Sequence, residues 1–108
     1  MTQVTIYKNE LDECVGFKAY GHAGYDEEGY DIVCAAISIL TINTINAIDS
    51  FTDDRTSVVS DEDEGCIDYR LLDRPSKEAT LLLDTMVLGL ETMVANYENY
   101  IDLKFEEV

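Results

Sequence analysis

The sequence predicts an α+β fold of two layers, a mixed β-sheet packed by two main helices in the element order ββαββαβ. Three observations predict it. Short runs alternate apolar and polar residues, an almost unbroken apolar run begins at Ile32, and a second long segment after Ser76 carries apolar residues at helical spacing. With 108 residues, 46% of them hydrophobic and 28% charged, the chain makes one domain, 1–108, around a single modest core.

Gln3 to Tyr7 and Cys14 to Tyr20 read as two strands joined by a turn at Asn9-Glu10-Leu11-Asp12, so the chain opens with a hairpin. Val15, Phe17 and Ala19 share one face of the second strand, which points Lys18 and Tyr20 the other way. A helix follows from about Ile32 to Asp49. Its apolar residues surround nearly the whole cylinder, which predicts burial between the sheet and something else. Thr56 to Ser60 and Cys66 to Leu72 are strands around Asp61-Glu62-Asp63-Glu64-Gly65, a solvated acidic turn that discourages edge-to-edge pairing. Its spacing lacks the ligand pattern of a calcium loop.

Pro75 ends the fourth strand and Ser76 caps a helix starting at Lys77. Ala79, Leu82, Leu83, Met86, Leu90, Met93, Val94 and Tyr97 form its core stripe, and Gly89 permits close packing. Leu81, Val87 and Leu88 lie off the stripe, which predicts a homodimer that covers them. A last strand, Tyr100 to Phe105, alternates Ile101, Leu103 and Phe105 with Asp102 and Lys104.

The chemistry concentrates between Gly21 and Ser38. With Asp31 as N-cap, Cys34 falls at about the third helical position, where the macrodipole and free amides favour negative charge. A thiol whose free-chain pKa is about 8.5 is there drawn toward thiolate, the nucleophilic form. The same amides suit the oxyanion that forms when a thiolate attacks a carbonyl. His22, the chain's one histidine, stands at the far end of a loop that holds three of its six glycines, Gly21, Gly24 and Gly29. Such a loop folds back readily, and imidazole is suited to take the thiol proton and return it to a leaving amine. The pattern also admits a plainer account, since a cysteine in an apolar helix is ordinarily a small buried hydrophobe. Ser38, one turn beyond Cys34, either contacts the site or bonds back to a helix carbonyl. Asp31 serves capping first and orientation of His22 second.

Gly21-His22-Ala23, an acidic glycine-containing loop, and Gly29-Tyr30-Asp31-Ile32-Val33-Cys34-Ala35-Ala36-Ile37-Ser38 together resemble the signature of the ribosomal-processing cysteine protease family, Prp. The resemblance implies that His22 and Cys34 form a catalytic pair in a thiol protease. It implies a substrate too, the N-terminal extension of a large-subunit ribosomal protein. The glycine content of the loop between His22 and Cys34 leads to the expectation that it is mobile in the free enzyme and closes over the peptide to complete the pair.

A formal charge of −16 argues against nucleic acid or an anionic membrane as direct partner and suits a basic protein or peptide. Asp26, Glu27 and Glu28 would meet such a peptide, or form a solvated tip. No basic-apolar leader is seen and no apolar run reaches the ~18 residues that span a bilayer, so a cytoplasmic protein is expected. Cys14, Cys34 and Cys66 cannot all pair and show no C-x-x-C spacing; with one histidine, neither a disulfide framework, a metal site nor a cofactor is expected. Cys14 and Cys66 read as packing or surface thiols. A different class of function, a non-enzymatic acidic module that binds a basic ribosomal protein, fits the same charge. It would be indifferent to replacement of Cys34.

Overall fold

The hairpin at the start of the chain is set by one side chain. Asn9 Oδ1 accepts from the backbone N–H groups of Leu11 and Glu13, and Asp12 takes the left-handed conformation with φ +62°. This turn joins β1 (Thr2–Lys8) to β2 (Cys14–Tyr20) in the computed structural model, which describes residues 1–21, 30–61, 63 and 65–108, with residues 30 and 31 by backbone only. The elements that follow are α1 (Tyr30–Phe51), β3 (Thr56–Asp61), β4 (Cys66–Leu71), α2 (Lys77–Asn96) and β5 (Ile101–Glu107).

The described residues build a five-stranded mixed sheet in the order β3-β4-β2-β1-β5. The β1–β5 pair is parallel and the others are antiparallel. Both helices contribute to one core with the strands. Val4, Ile6, Phe17, Ala19, Tyr69 and Leu71 from the sheet meet Val33, Ile37 and Ile48 of α1 and Ala79, Leu83, Met86 and Leu90 of α2.

On the sheet's other face, cross-strand neighbours supply the cover. Tyr7, Gly16 and Arg70 stand side by side, the Arg70 guanidinium lies 4.1 Å over the Tyr7 ring, and the Tyr7 hydroxyl donates to Asp68. Gly16 sits at an irregularity in the β1–β2 ladder with φ +154°, and a Cβ there would lie 2.1 Å from the Tyr69 carbonyl oxygen. No residue with a side chain fits that position.

α2 begins where the sequence places its cap. Ser76 Oγ accepts from the Ala79 N–H, while the Ser76 N–H and hydroxyl both donate to the Asp54 carboxylate. Gly89 lets α1 approach, since a Cβ there would meet Leu40 Cδ2 at 2.9 Å. At the far end the acidic turn is partly described: Asp61 Oδ1 accepts from the Asp63 N–H and Gly65 has φ +63°, while Glu62 and Glu64 lie outside the described residues.

The structure corrects five expectations. α1 starts at Tyr30, so Asp31 is its second residue and not its N-cap, and Cys34 is the fifth. An acidic residue is as welcome in the first turn as before it, because both positions face the positive end of the helix dipole. Nor is α1 enclosed on all sides: Val33, Ile37, Thr41, Thr44 and Ile48 form one buried face, while Ile32, Ile39 and Ile42 are exposed. The two buried threonines satisfy their hydroxyls on the carbonyls of Ile37 and Leu40. Val87, expected off the α2 stripe, is buried, because the face that meets the core is broader than one stripe. Tyr97, expected on it, is 42% exposed as the C-cap residue, its N–H donating to the Met93 carbonyl. Lastly, Ile32–Phe51 is long and apolar enough, by length and composition, to cross a membrane; here one of its faces is committed to the core with the sheet and α2.

Candidate active site

Cys34 lies on the same side of α1 as Ile37, Ser38 and Thr41, three, four and seven residues on, the spacing that aligns side chains along one helix face. These residues, with Ile42, form one wall of a groove of about 320 Å³ open to solvent. Ala19, Tyr20 and Gly21 at the end of β2, Thr2, and Ser60, Asp61, Gly65, Cys66 and Ile67 at the β3–β4 turn supply the rest. Strand pairing holds this far wall. Tyr20 is the register partner of Cys66, and beyond it the Gly21 N–H donates to the Gly65 carbonyl at 3.2 Å. The groove is within the range of ~300–1,000 Å³ that binds small ligands or a few side chains of a peptide.

The Cys34 thiol is half-buried, and its Sγ lies 3.3 Å from Thr2 Oγ1 in a hydrogen bond. Thr2 itself is buried, 5% exposed, with its N–H donating to the Tyr100 carbonyl at 3.0 Å. The three cysteines have different surroundings. Cys14 is fully buried, and loss of solvation pushes its thiol up, with the thiol donating to the Gly16 carbonyl at 3.6 Å; it is a packing residue, as the sequence suggests. Cys66, also half-buried, stands on the groove wall opposite α1.

Of the residues singled out in the sequence, Gly21, Cys34 and Ser38 are brought to this one groove, and Ser38 is exposed there. His22, Gly24 and Gly29 lie outside the described residues, as do Asp26, Glu27 and Glu28, the expected loop closure and the side chain of Asp31. The residue immediately before His22, Gly21, is part of the groove wall. Because α1 starts at Tyr30, the Cys34 N–H falls to the Tyr30 carbonyl in the i→i−4 pattern, and the free amides of the first turn belong to residues upstream of the cysteine. Among the described residues no cluster of three or more His, Cys, Asp or Glu side chains could hold a metal ion.

Among the groove residues, sequence reasoning misses Thr2 and Thr41 and the part that Cys66 and the rest of the β3–β4 turn play in the site. For Thr2 a signal exists. The hairpin register pairs Gln3 with Tyr20, so Thr2 comes beside Gly21 once the hairpin is drawn. Its contact with Cys34, 32 residues away, depends on the packing of α1 and has no local sign.

Residues 1–102 match the family model described as cysteine protease Prp. The ribosomal processing cysteine protease Prp of Staphylococcus aureus is 33% identical over 106 residues, 98% of this chain and 100% of that protein. Its Bacillus subtilis counterpart is 28% identical over 103 residues, 92% of each. Among solved structures, the essential ribosomal processing protease Prp from S. aureus in complex with a substrate peptide superimposes with a TM-score of 0.92 at 32% identity, covering 98% of this chain and 100% of that one. The same protease with a covalently linked product peptide gives 0.87 at 33% identity, again covering 98% and 100%.

Proposed function

The chain belongs to the cysteine protease Prp family, and from that premise we propose that it is the endopeptidase that removes the N-terminal extension of a large-subunit ribosomal protein, with Cys34 as nucleophile and His22 as general base and acid. The observation that carries the reading is the half-buried Cys34 thiol at one wall of an open groove, with Gly21, the neighbour of His22, lining the same groove from its far wall. His22 takes the thiol proton as Sγ attacks the scissile carbonyl. The tetrahedral intermediate collapses, the C–N bond breaks, and the proton passes from His22 to the leaving amine. Water, deprotonated by His22, then releases the remaining fragment from the thioester and restores the thiol. Amides of the first α1 turn are the donors available to the oxyanion, and Asp31 and Ser38 support the pair. A relative that holds a covalently linked product peptide is in keeping with acyl-enzyme chemistry.

Charge supports the substrate. A formal charge of −16 attracts a basic chain and repels nucleic acid and anionic membrane, neither of which is a direct partner in this reading. The site of action is the cytoplasm, where ribosomal proteins are made and where thiols such as Cys14, Cys34 and Cys66 stay reduced. Recovery of the protein in a membrane fraction would contradict that location. The working form is a homodimer whose interface covers Leu81 and Leu88, 67% and 65% exposed on α2.

Incubating the protein with the N-terminally extended ribosomal protein and weighing the products by mass spectrometry tests the activity. One cut that frees the extension is expected; a substrate bound but left intact would favour a binding module instead.

A further inference from the structure

We propose that Thr2 is a positioning residue for the Cys34 thiol, its hydroxyl fixing the sulfur at the groove wall and donating to it whenever it is charged. The inference rests on the reading of Cys34 as nucleophile. Three observations carry it. Thr2 Oγ1 lies 3.3 Å from Cys34 Sγ, and either atom can be the donor while the sulfur is protonated. A thiolate has no proton to give, so once Cys34 ionises the hydroxyl must donate, and a hydrogen bond to an ionised acceptor is roughly twice as strong as a neutral one.

The hydroxyl also has nowhere to retreat. Thr2 is 5% exposed, its N–H is held by the Tyr100 carbonyl, and its register partner is Ile101 on β5. On the other side Gly21 packs so closely that a Cβ would lie 2.9 Å from Thr2 Oγ1 and 3.1 Å from its Cα. The sulfur is therefore braced by a hydroxyl that β5 and Gly21 clamp in place. Finally, the hydroxyl of Thr41, buried on the α1 wall, is already committed to the Ile37 carbonyl, and among the described residues Thr2 supplies the side-chain hydrogen bond to Cys34.

During the reaction no bond to Thr2 forms or breaks. As the S–C bond of the thioester forms, the sulfur gives up its charge and the hydrogen bond weakens; as water releases the acyl group, the thiolate returns and the bond is restored.

The test compares Thr2→Val, which keeps the shape and removes the hydroxyl, Thr2→Ser, which keeps the hydroxyl, and Thr2→Ala, which cannot overpack. Cys34 carbamidomethylation by iodoacetamide is followed by peptide mass spectrometry across the pH range with Cys66 as internal reference, and kcat and KM are measured on the extended ribosomal protein. Thr2→Val and Thr2→Ala should slow Cys34 labelling about three- to tenfold and lower kcat by a similar factor with KM kept. Cys66 should be unaffected, and Thr2→Ser should restore most of the loss. Wild-type labelling of Cys34 in Thr2→Val or Thr2→Ala would overturn the proposal, as would a Thr2→Ser variant no better than Thr2→Val. Labelling needs no substrate, so wild-type protein that fails to cut would overturn the protease reading while the labelling series still decides the role of Thr2.

Discussion

Gly21 and Thr2 are packed so tightly that a β-carbon between them would have to displace the threonine: one built on the glycine would stand 2.9 Å from the threonine hydroxyl oxygen and 3.1 Å from its Cα. Because that hydroxyl holds the Cys34 sulfur, the glycine at the groove wall acts on the thiol through a buried neighbour. Gly21→Ala should therefore cost about 1–3 kcal/mol by overpacking. It should also slow Cys34 alkylation more than that of Cys66. Thermal melts and site-resolved labelling check both; a variant with unchanged labelling would separate the glycine from the thiol.

The α2 cap gives the fold an acid-sensitive contact. Loss of solvation works to raise the Asp54 carboxyl, but the hydroxyl and N–H of Ser76 outweigh it, with Thr52 assisting, and hold the carboxyl below its usual value. A carboxylate depressed in the folded state binds fewer protons there than in the unfolded chain. Its stabilisation is thus complete above the ordinary carboxylate range and is lost as the pH falls through the lower folded value. Ser76→Ala should lose about 1 kcal/mol near neutral pH, and its melting temperature should fall less than that of wild type on acidification. Parallel acid dependences in the two proteins would remove Asp54 from this role.

On α2, Leu81 and Leu88 stand two turns apart and exposed, an apolar pair that a second copy would cover. Leu81→Glu and Leu88→Glu should each shift the protein from dimer to monomer in sedimentation velocity, the monomer staying folded because neither side chain is in the core and its melting temperature losing the concentration dependence of the dimer. Wild-type protein that sediments as a monomer at the highest soluble concentration would contradict the homodimer.

Most of the fold is legible in the sequence because local and tertiary preferences agree. Asn9 forms the turn it predicts, Ser76 caps the helix it precedes, and Phe17 and Ala19 face the core that their alternation assigns them, whereas Val15, expected on that face, falls at the irregularity in the β1–β2 ladder and Cys14 is the core residue there. Failures came where two local signals compete. Tyr30 and Asp31 serve equally as a cap region or as a first helical turn, and in the structure they belong to the turn. Val87 could be placed only by knowing how broad a face of α2 meets the core.

For the site, the residue types that carry chemistry are local and readable, whereas their surroundings are not. Cys34 stands out by its place in an apolar helix, and its neighbours Ile37, Ser38 and Thr41 follow from helical spacing. The β3–β4 turn reaches the groove only through the order β3-β4-β2-β1-β5, and Thr2, which the hairpin brings beside Gly21, meets Cys34 only through the packing of α1, long-range arrangements that no short stretch of sequence encodes.

Wild-type protein, Cys34→Ala and His22→Ala, each incubated with the N-terminally extended ribosomal protein and followed by intact-mass spectrometry, decide whether this groove cuts peptides by thiol chemistry. Trimming by wild type alone, with at least a ~100-fold loss in both variants, is the expected result, since one variant removes the nucleophile of the covalent step and the other the base that activates it. Continued trimming by Cys34→Ala, or binding without cleavage by folded and reduced wild-type protein, would contradict it.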